Sequence, residues 1–313
     1  MPDTSDSLSV VVNPTSVGAF GRSHVLLRGR AQVHHVSGFA GPASIKSVTR
    51  GSGVWETAAG RYVVTPGTYL LLNADQPYSV TIESVETVET FCVFFRERFL
   101  QKIAFDLTSD PSRALDDPAG RAPAEPVFFE TLHPCAGDID EVGAALGMLS
   151  NLESDGASAL HLDARLTDLA AALLASNGAF RARSNRLGAL RGATRAELLR
   201  RVARGRDFIE SNLDRRLTLD DIARAACLSP FHFHRCFSRA FSEAPHAYVT
   251  RRRLERARHL LSASDARVTD IALEVGFESP AAFSRSFRRR FLCSPLVFRK
   301  QGSGGLSVSI ERP

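Results

Sequence analysis

Arg235 and Arg285 stand 50 residues apart, each two positions after a phenylalanine, Phe233 and Phe283. If those phenylalanines face a core, the helical period turns both guanidinium groups outward. A guanidinium can meet guanine O6 and N7 with paired hydrogen bonds in the major groove of DNA. An arginine so placed can equally be an ordinary solvated side chain. What favours the base-reading role is that both copies of a repeat keep it. Other chemistry has few carriers. His34 and His35 are adjacent, so a strand would turn them to opposite faces. No glutamate stands at the spacing that would close a divalent-metal site around them. Cys92, Cys135, Cys227, Cys236 and Cys293 are odd in number, scattered and without a Cys-x-x-Cys spacing, the pattern of small buried hydrophobes. These residues point to no catalytic group, no metal and no cofactor.

The elements that must position the arginines are written twice. Ser229, Pro230, Phe233, Arg235, Phe237, Arg239, Phe241 and Pro245 recur as Ser279, Pro280, Phe283, Arg285, Phe287, Arg289, Phe291 and Pro295. In the first copy Leu219, Ile222, Ala223 and Ala226 fall at helical spacing behind a Thr218/Asp221 capping box. Ser229 and Pro230 then supply the N-cap and first-turn proline of a second helix, with Phe233, Phe237 and Phe241 on one face. The second copy reads Val268, Ile271, Ala272, Val275, a turn at Gly276 and the Ser279-Pro280 restart. Helix, tight turn, helix is a DNA-reading unit. Between the copies, Pro245 to Ser262 forms an apolar stripe of Tyr248, Val249, Leu254, Ala257, Leu260 and Leu261 ringed by Arg251, Arg252, Arg253, Arg256 and Arg258. As a helix this segment spans about 27 Å, close to the ~34 Å between successive major-groove faces.

These residues resemble the AraC/XylS family of bacterial transcription regulators. The carriers are Arg253-Leu254, Ala257 to Leu261, Ile271-Ala272, Val275-Gly276-Phe277, Ser279, Phe283, Arg285, Phe287 and Ser294-Pro295, within a stretch of about 100 residues. The resemblance implies that the second helix of each unit enters the major groove. It places Phe231, His234 and Arg235 toward the bases in the first unit, and Ala281, Ser284 and Arg285 in the second. Ala281 and Ala282 offer few hydrogen-bonding tips, so Arg285 is expected to carry most of the second readout. Arg239 is expected beside the DNA backbone, and Arg288, Arg289, Arg290 and Arg299 at phosphates, since such a run cannot all reach base edges. Where the family usually has glycine before each closing proline, this chain has Ser242 and Leu292. Leucine resists a left-handed backbone, so the turn is expected to depart from the family's.

From Val17 to Phe99 the pattern changes to short β-rich runs: Val25 to Leu27, Ala31 to Val36, Ile45 to Val48, Gly53 to Glu56, Arg61 to Thr65, Thr68 to Leu72, Tyr78 to Ile82 and Thr87 to Phe95. Their spacing predicts an antiparallel sandwich or barrel. With Pro66-Gly67 and the segment after it, this region is similar to the cupin-like sensing domain of many AraC-type proteins. Trp55, Tyr62, Tyr69, Tyr78 and Phe91 are candidates for an organic ligand's pocket or for plain core. Two helical patterns follow, on Ile139, Val142, Ala145, Leu146 and Leu149 and on Leu162, Leu166, Leu169, Leu173 and Leu174. They resemble the family's dimerisation helices, and the alternative is that they cover the barrel.

The expected fold class is α+β in two domains, a cupin-like antiparallel barrel with flanking helices and an all-α double helix-turn-helix. The expected layout is a flexible terminus 1–16, a barrel 17–107, loop and helices 108–176, a hinge 177–193, the paired helical units 194–300 and a flexible tail 301–313. From Thr194 to Lys300 there are 22 basic and 12 acidic residues, against 17 and 22 in the remainder. A basic module on an acidic one points to a polyanion partner for the first alone. No apolar run approaches 18 residues and the N-terminus lacks a signal pattern, so a cytoplasmic location and no membrane are expected. The resemblance adds double-stranded promoter DNA, RNA polymerase, a small-molecule effector and a homodimer as partners, and activation as the mode. Two rivals remain: a regulator whose barrel only dimerises, and a cupin enzyme tethered to DNA.

Overall fold

The computed structural model describes residues 8–12, 20–108, 126–135, 140–151, 159–188 and 191–302. The chain divides into two compact units between Ala196 and Glu197. The first holds one eight-stranded sheet curled into a nearly closed barrel. Its strands are β1 (Leu8–Val12), β2 (His24–Phe39), β3 (Ser44–Arg50), β4 (Gly53–Thr57), β5 (Gly60–Val64), β6 (Thr68–Leu72), β7 (Tyr78–Phe94) and β8 (Leu132–Pro134). The path runs β1-β2-β7-β3-β6-β8, and β4 pairs with both β5 and β7. All pairings are antiparallel except that of β1 with β2. Pro66 and Gly67, the latter at φ 90°, make the turn into β6, closed by Thr68 N–H donating to Thr65 O at 3.0 Å. Proline then glycine suits that geometry because only the second position needs positive φ.

Several expectations are corrected here. Ala31 to Val36 is not a strand of its own but part of the 16-residue β2, which bends through register shifts at Ala31/Val33 and Val36/Phe39. Tyr78 to Ile82 and Thr87 to Phe95 likewise fuse into the 17-residue β7, because both legs pair with β2 on either side of the Ala31/Val33 register shift even though the apolar alternation lapses over Glu83 to Thr87. Residues 8–12, expected loose, pair with β2. The short β8 adds to β6 from a stretch with no strand signal. The loop expected over 108–126 lies almost wholly outside the described residues, as does the tail beyond Gly302.

Strand alternation splits the first unit's core in two. One face, with Leu26, Ile45, Tyr69, Leu71, Phe91 and Val93, is covered by α1 (Phe99–Thr108), α2 (Glu141–Ser150) and α3 (Ala159–Ala182). Val142, Leu146, Leu149, Leu162, Leu166, Leu169 and Leu173 are all buried in that layer. The leucine stripe with a candidate dimerisation role is therefore buried within the chain, over the barrel. The other face, with Val48, Trp55, Tyr62, Val64, Leu70, Leu72, Tyr78, Val80 and Ile82, lines the barrel's inside. Within the expected hinge over 177–193, residues 177–187 are helical, and 189–190 lie outside the described residues. Helix α3 runs to Ala182 and a 3-10 turn follows over Arg183–Leu187, with Leu187 buried and Gly188 at φ 99°.

The second unit is all helix. It comprises most of α4 (Gly192–Glu210), then α5 (Leu219–Ala225), α6 (Pro230–Phe241), α7 (Pro245–Ala263), α8 (Val268–Glu274), α9 (Pro280–Phe291) and α10 (Pro295–Gly302). The Thr218/Asp221 capping box is present in both directions. Ser229 and Ser279 cap α6 and α9 by accepting from the His232 and Ala282 backbone N–H groups. Helix α10 adds to the elements that periodicity predicts, and its Pro295 repeats the helix-opening Pro245 of α7.

Candidate nucleic-acid interface

Each helix-turn-helix is built on a phenylalanine ladder. Phe233 and Phe237 of α6, and Phe283 and Phe287 of α9, are fully buried, with ring centroids 5.3 Å and 5.5 Å apart. The ladders fix which way the helices face. In the second half Phe283 and Phe287 pack with Leu254, Ala257, Leu261, Ile271, Ala272 and Val275. In the first, α4 comes so close that a Cβ on Gly205 would sit 2.3 Å from the Phe233 ring. Nothing in the sequence period marks Gly205 as this contact.

With the ladders inward, Phe231, His234, Arg235 and Arg239 are exposed on α6, and Ala281, Arg285 and Arg289 on α9, with Ser284 half-buried. Phe231 is 77% exposed, and the Arg235 guanidinium lies 5.8 Å from its ring centre. Among the described residues Arg235, Arg239, Arg285 and Arg289 form no ion pair.

The connecting helix behaves differently from its composition. Arg252 is 5% exposed and bonds Glu210 of α4 at 2.8 Å and Glu255 at 2.6 Å. Tyr248 Oη donates to the same Glu210 carboxylate at 2.6 Å. Arg251 bridges Glu243 and Glu255, each at 3.0 Å. Burial would raise the Glu255 carboxyl, but Arg252 and Arg251 hold it below the usual range. Burial, with Glu210 beside it, pushes the Tyr248 phenol up. Arg253 donates to the Leu213 and Arg215 carbonyls at 2.9 Å and 2.6 Å. It thereby fixes the turn that follows α4 beside Gly276, where any Cβ would meet the Leu213 carbonyl at 2.3 Å.

Two expectations about basic residues change. Arg299, expected at phosphate, donates to the Ala266 carbonyl at 2.7 Å, and Arg290 reaches Glu255 at 4.0 Å. The turns hold a further correction: Ser242 and Leu292 adopt the left-handed conformation, at φ 57° and 61°, despite having side chains. Leu292 is 83% exposed, so its side chain meets no packing conflict there.

Of the five aromatic residues nominated for a ligand, Trp55 and Tyr78 line a cavity inside the barrel. Tyr62 belongs to the same core but not to the cavity wall. Tyr69 and Phe91 lie on the opposite face of the sheet, where Tyr69 stacks on His133 at 5.0 Å. A strand's two-residue period sends odd and even positions to different faces, and aromatic type alone does not reveal which. His34 lines the cavity while His35 bonds Thr81 and Ser37. Among the described residues no group of three or more His, Cys, Asp or Glu stands together as metal ligands, and no helix is long and apolar enough to cross a membrane.

A model of the AraC-like ligand binding domain matches residues 34–170, and a model of a helix-turn-helix domain matches residues 222–301. The chain belongs to the AraC-type family. Curated relatives of this AraC-type chain carry names of transcriptional regulators. It is 37% identical over 93 residues to YbfP, an uncharacterized HTH-type transcriptional regulator of Bacillus subtilis (strain 168), covering 30% of this chain and 32% of that protein. It is 35% identical over 96 residues to the HTH-type transcriptional regulator ExsA of Pseudomonas aeruginosa, covering 31% and 34%. The chain thus spans about a third of the length of the curated relatives it matches. A solved AraC-type regulator from Chromobacterium violaceum is 30% identical, covers 33% of this chain and 93% of that one, and has a TM-score of 0.32.

Proposed function

We propose that this AraC-type protein is a sequence-specific transcription regulator that reads two adjacent major-groove segments of promoter DNA with α6 and α9. The observation that carries the reading is the pair of exposed, ion-pair-free guanidiniums, Arg235 and Arg285, set at the same place on two capped helices whose phenylalanine faces are buried. Helix α7, with 19 residues, gives a rod about 28 Å long between the heads. The Arg252, Glu210 and Tyr248 network ties that rod to α4. Phe231, His234, Ala281 and Ser284 complete the base-facing surfaces, and Arg239 and Arg289 stand at phosphates. The barrel takes a small-molecule effector that biases the protein between two states by binding one of them better. Activation through RNA polymerase, a homodimer and a cytoplasmic site of action complete the reading, with the dimer surface outside the buried leucine stripe.

DNA fragments selected by the wild-type protein from a random pool supply the test. Arg235→Ala is expected to weaken binding to the selected site by about 1–3 kcal/mol and relax choice at one base position, with little change on random DNA. Arg285→Ala should do the same at a position in the neighbouring groove segment. Equal losses on selected and random DNA would make both arginines phosphate contacts and remove the base-reading role.

A further inference from the structure

The barrel holds a half-open cavity of about 450 Å³, within the ~300–1,000 Å³ of small-molecule sites. Its wall is apolar over Phe39, Trp55, Val80, Ile82 and Phe94, and carries Lys46 from β3. Pairing of Lys46 with Leu70 and Cys92 puts this lysine on the inward face of the sheet, where the pattern otherwise calls for an apolar residue. Only 1% of Lys46 is exposed. Its Nζ donates to Tyr78 Oη at 2.8 Å and lies 3.6 Å from the Phe94 ring centre and 4.6 Å from that of Tyr78. Among the described residues no carboxylate pairs with it. Burial pulls its ammonium down to about 7, with the neighbouring Cys92 opposing weakly.

A buried cation without a counter-ion costs stability, and an aliphatic side chain would fill the site better. A ligand that supplies the missing charge reverses that cost. The ammonium keeps unused donors, and the Tyr78 hydroxyl, accepting from Nζ, has its own proton to give. Two converging donors suit a carboxylate. The other cation on the wall, Arg30, is largely exposed and lies 3.6 Å from Glu89, so the interior offers one positive charge and selects a monoanion.

We propose that the barrel binds a small apolar carboxylate, its charged end on Lys46 Nζ and Tyr78 Oη and its body against Phe94, Trp55 and Val80. This rests on the reading of the barrel as the effector-binding unit and names the class of effector.

Trp55 is the only tryptophan of the chain and stands on the cavity wall, so its emission reports occupancy in the full-length protein without DNA. 3-Phenylpropionate, 4-phenylbutyrate and octanoate are each titrated beside the matching primary amide. The acids are expected to bind about tenfold tighter than their amides or better, the fold-change of one charge-assisted hydrogen bond. Lys46→Met is expected to erase that preference while still binding the amides, and Lys46→Gln provides a second variant should the first melt early. Amides that bind as tightly as acids, a preference that survives both substitutions, or no saturable emission change with any probe would each overturn the proposal. DNA-fragment binding is measured in parallel without acid. Protein that binds fragments but shows no acid preference loses this inference and keeps the regulator reading, whereas acid binding without fragment binding does the reverse.

Discussion

Lys46 shows how a single residue can make stability depend on pH. In the fold its amine gives up its proton near pH 7, against 10.5 for the ordinary side chain. Between these values the unfolded chain holds more protons than the folded one, so stability at this site rises with pH across that window. The penalty is fully present below pH 7. The groups facing Lys46 are the Tyr78 hydroxyl and the Cys92 thiol, both pushed up by burial, and His34 and Arg30 share the cavity wall. Lys46→Met should therefore be more stable than the wild type at pH 6, by an amount on the order of a few kcal/mol, with the gap narrowing toward pH 10. Urea melts of both proteins at several pH values measure it, and a gap independent of pH would mean that the amine is not desolvated as described. Residue type alone does not mark this lysine as buried, because a lone charge in a β-rich run reads as a solvated edge. Leu292 shows the opposite failure: its Cβ meets its own backbone in a left-handed turn at a cost of about 1–2 kcal/mol, yet the helix end closed by its N–H on the Arg288 carbonyl adopts that turn all the same.

Among the elements, the repeat was legible almost to the residue. Pro230–Phe241 and Pro280–Phe291 begin at their prolines and end at the last phenylalanine of each ladder, because cap, proline and a four-residue aromatic period all specify the same helix. The long strands β2 and β7 were not legible, since both legs of each stay paired across register shifts, one of them at Gly38 (φ 59°), where a glycine in sequence reads as a turn. The role of α7 was hidden for a related reason, as an arginine looks the same in sequence whether it meets solvent or a buried carboxylate. Arg252 holds α7 to α4 through Glu210, with Tyr248 on the same carboxylate. Arg252→Met strands Glu210 as an uncompensated buried charge and should cost about 3–5 kcal/mol in denaturant unfolding. Adding Glu210→Gln to that variant should recover part of the loss. A double variant no more stable than the single one would mean that the network contributes by packing alone.

For the whole molecule, formal charge overstates what the helical unit can offer DNA. Its 22 basic residues outnumber its 12 acidic ones, but many are already engaged. Arg200 and Arg201 share Glu197, Arg206 meets Asp207, Arg224 meets Asp221, and Arg251 and Arg252 are held by Glu243, Glu210 and Glu255. Arg253 and Arg299 spend donors on backbone carbonyls. Among the described residues, the guanidiniums without ion pairs include Arg235 and Arg239 on α6 and Arg285, Arg288 and Arg289 on α9, beside Arg204 on α4 and Arg256 and Arg258 on α7, so α6 and α9 carry a large part of the unengaged charge. Removing one protein–phosphate interaction flattens the dependence of log affinity on log salt by about 0.9. Arg239→Ala and Arg289→Ala should each flatten that slope by about one such step and weaken selected and random DNA alike. Arg251→Ala should lower stability and leave the slope unchanged, because its guanidinium is held between Glu243 and Glu255. Binding isotherms over a salt series decide between them. A slope that drops for Arg251→Ala and not for Arg289→Ala would place the DNA along α7 instead of across α6 and α9.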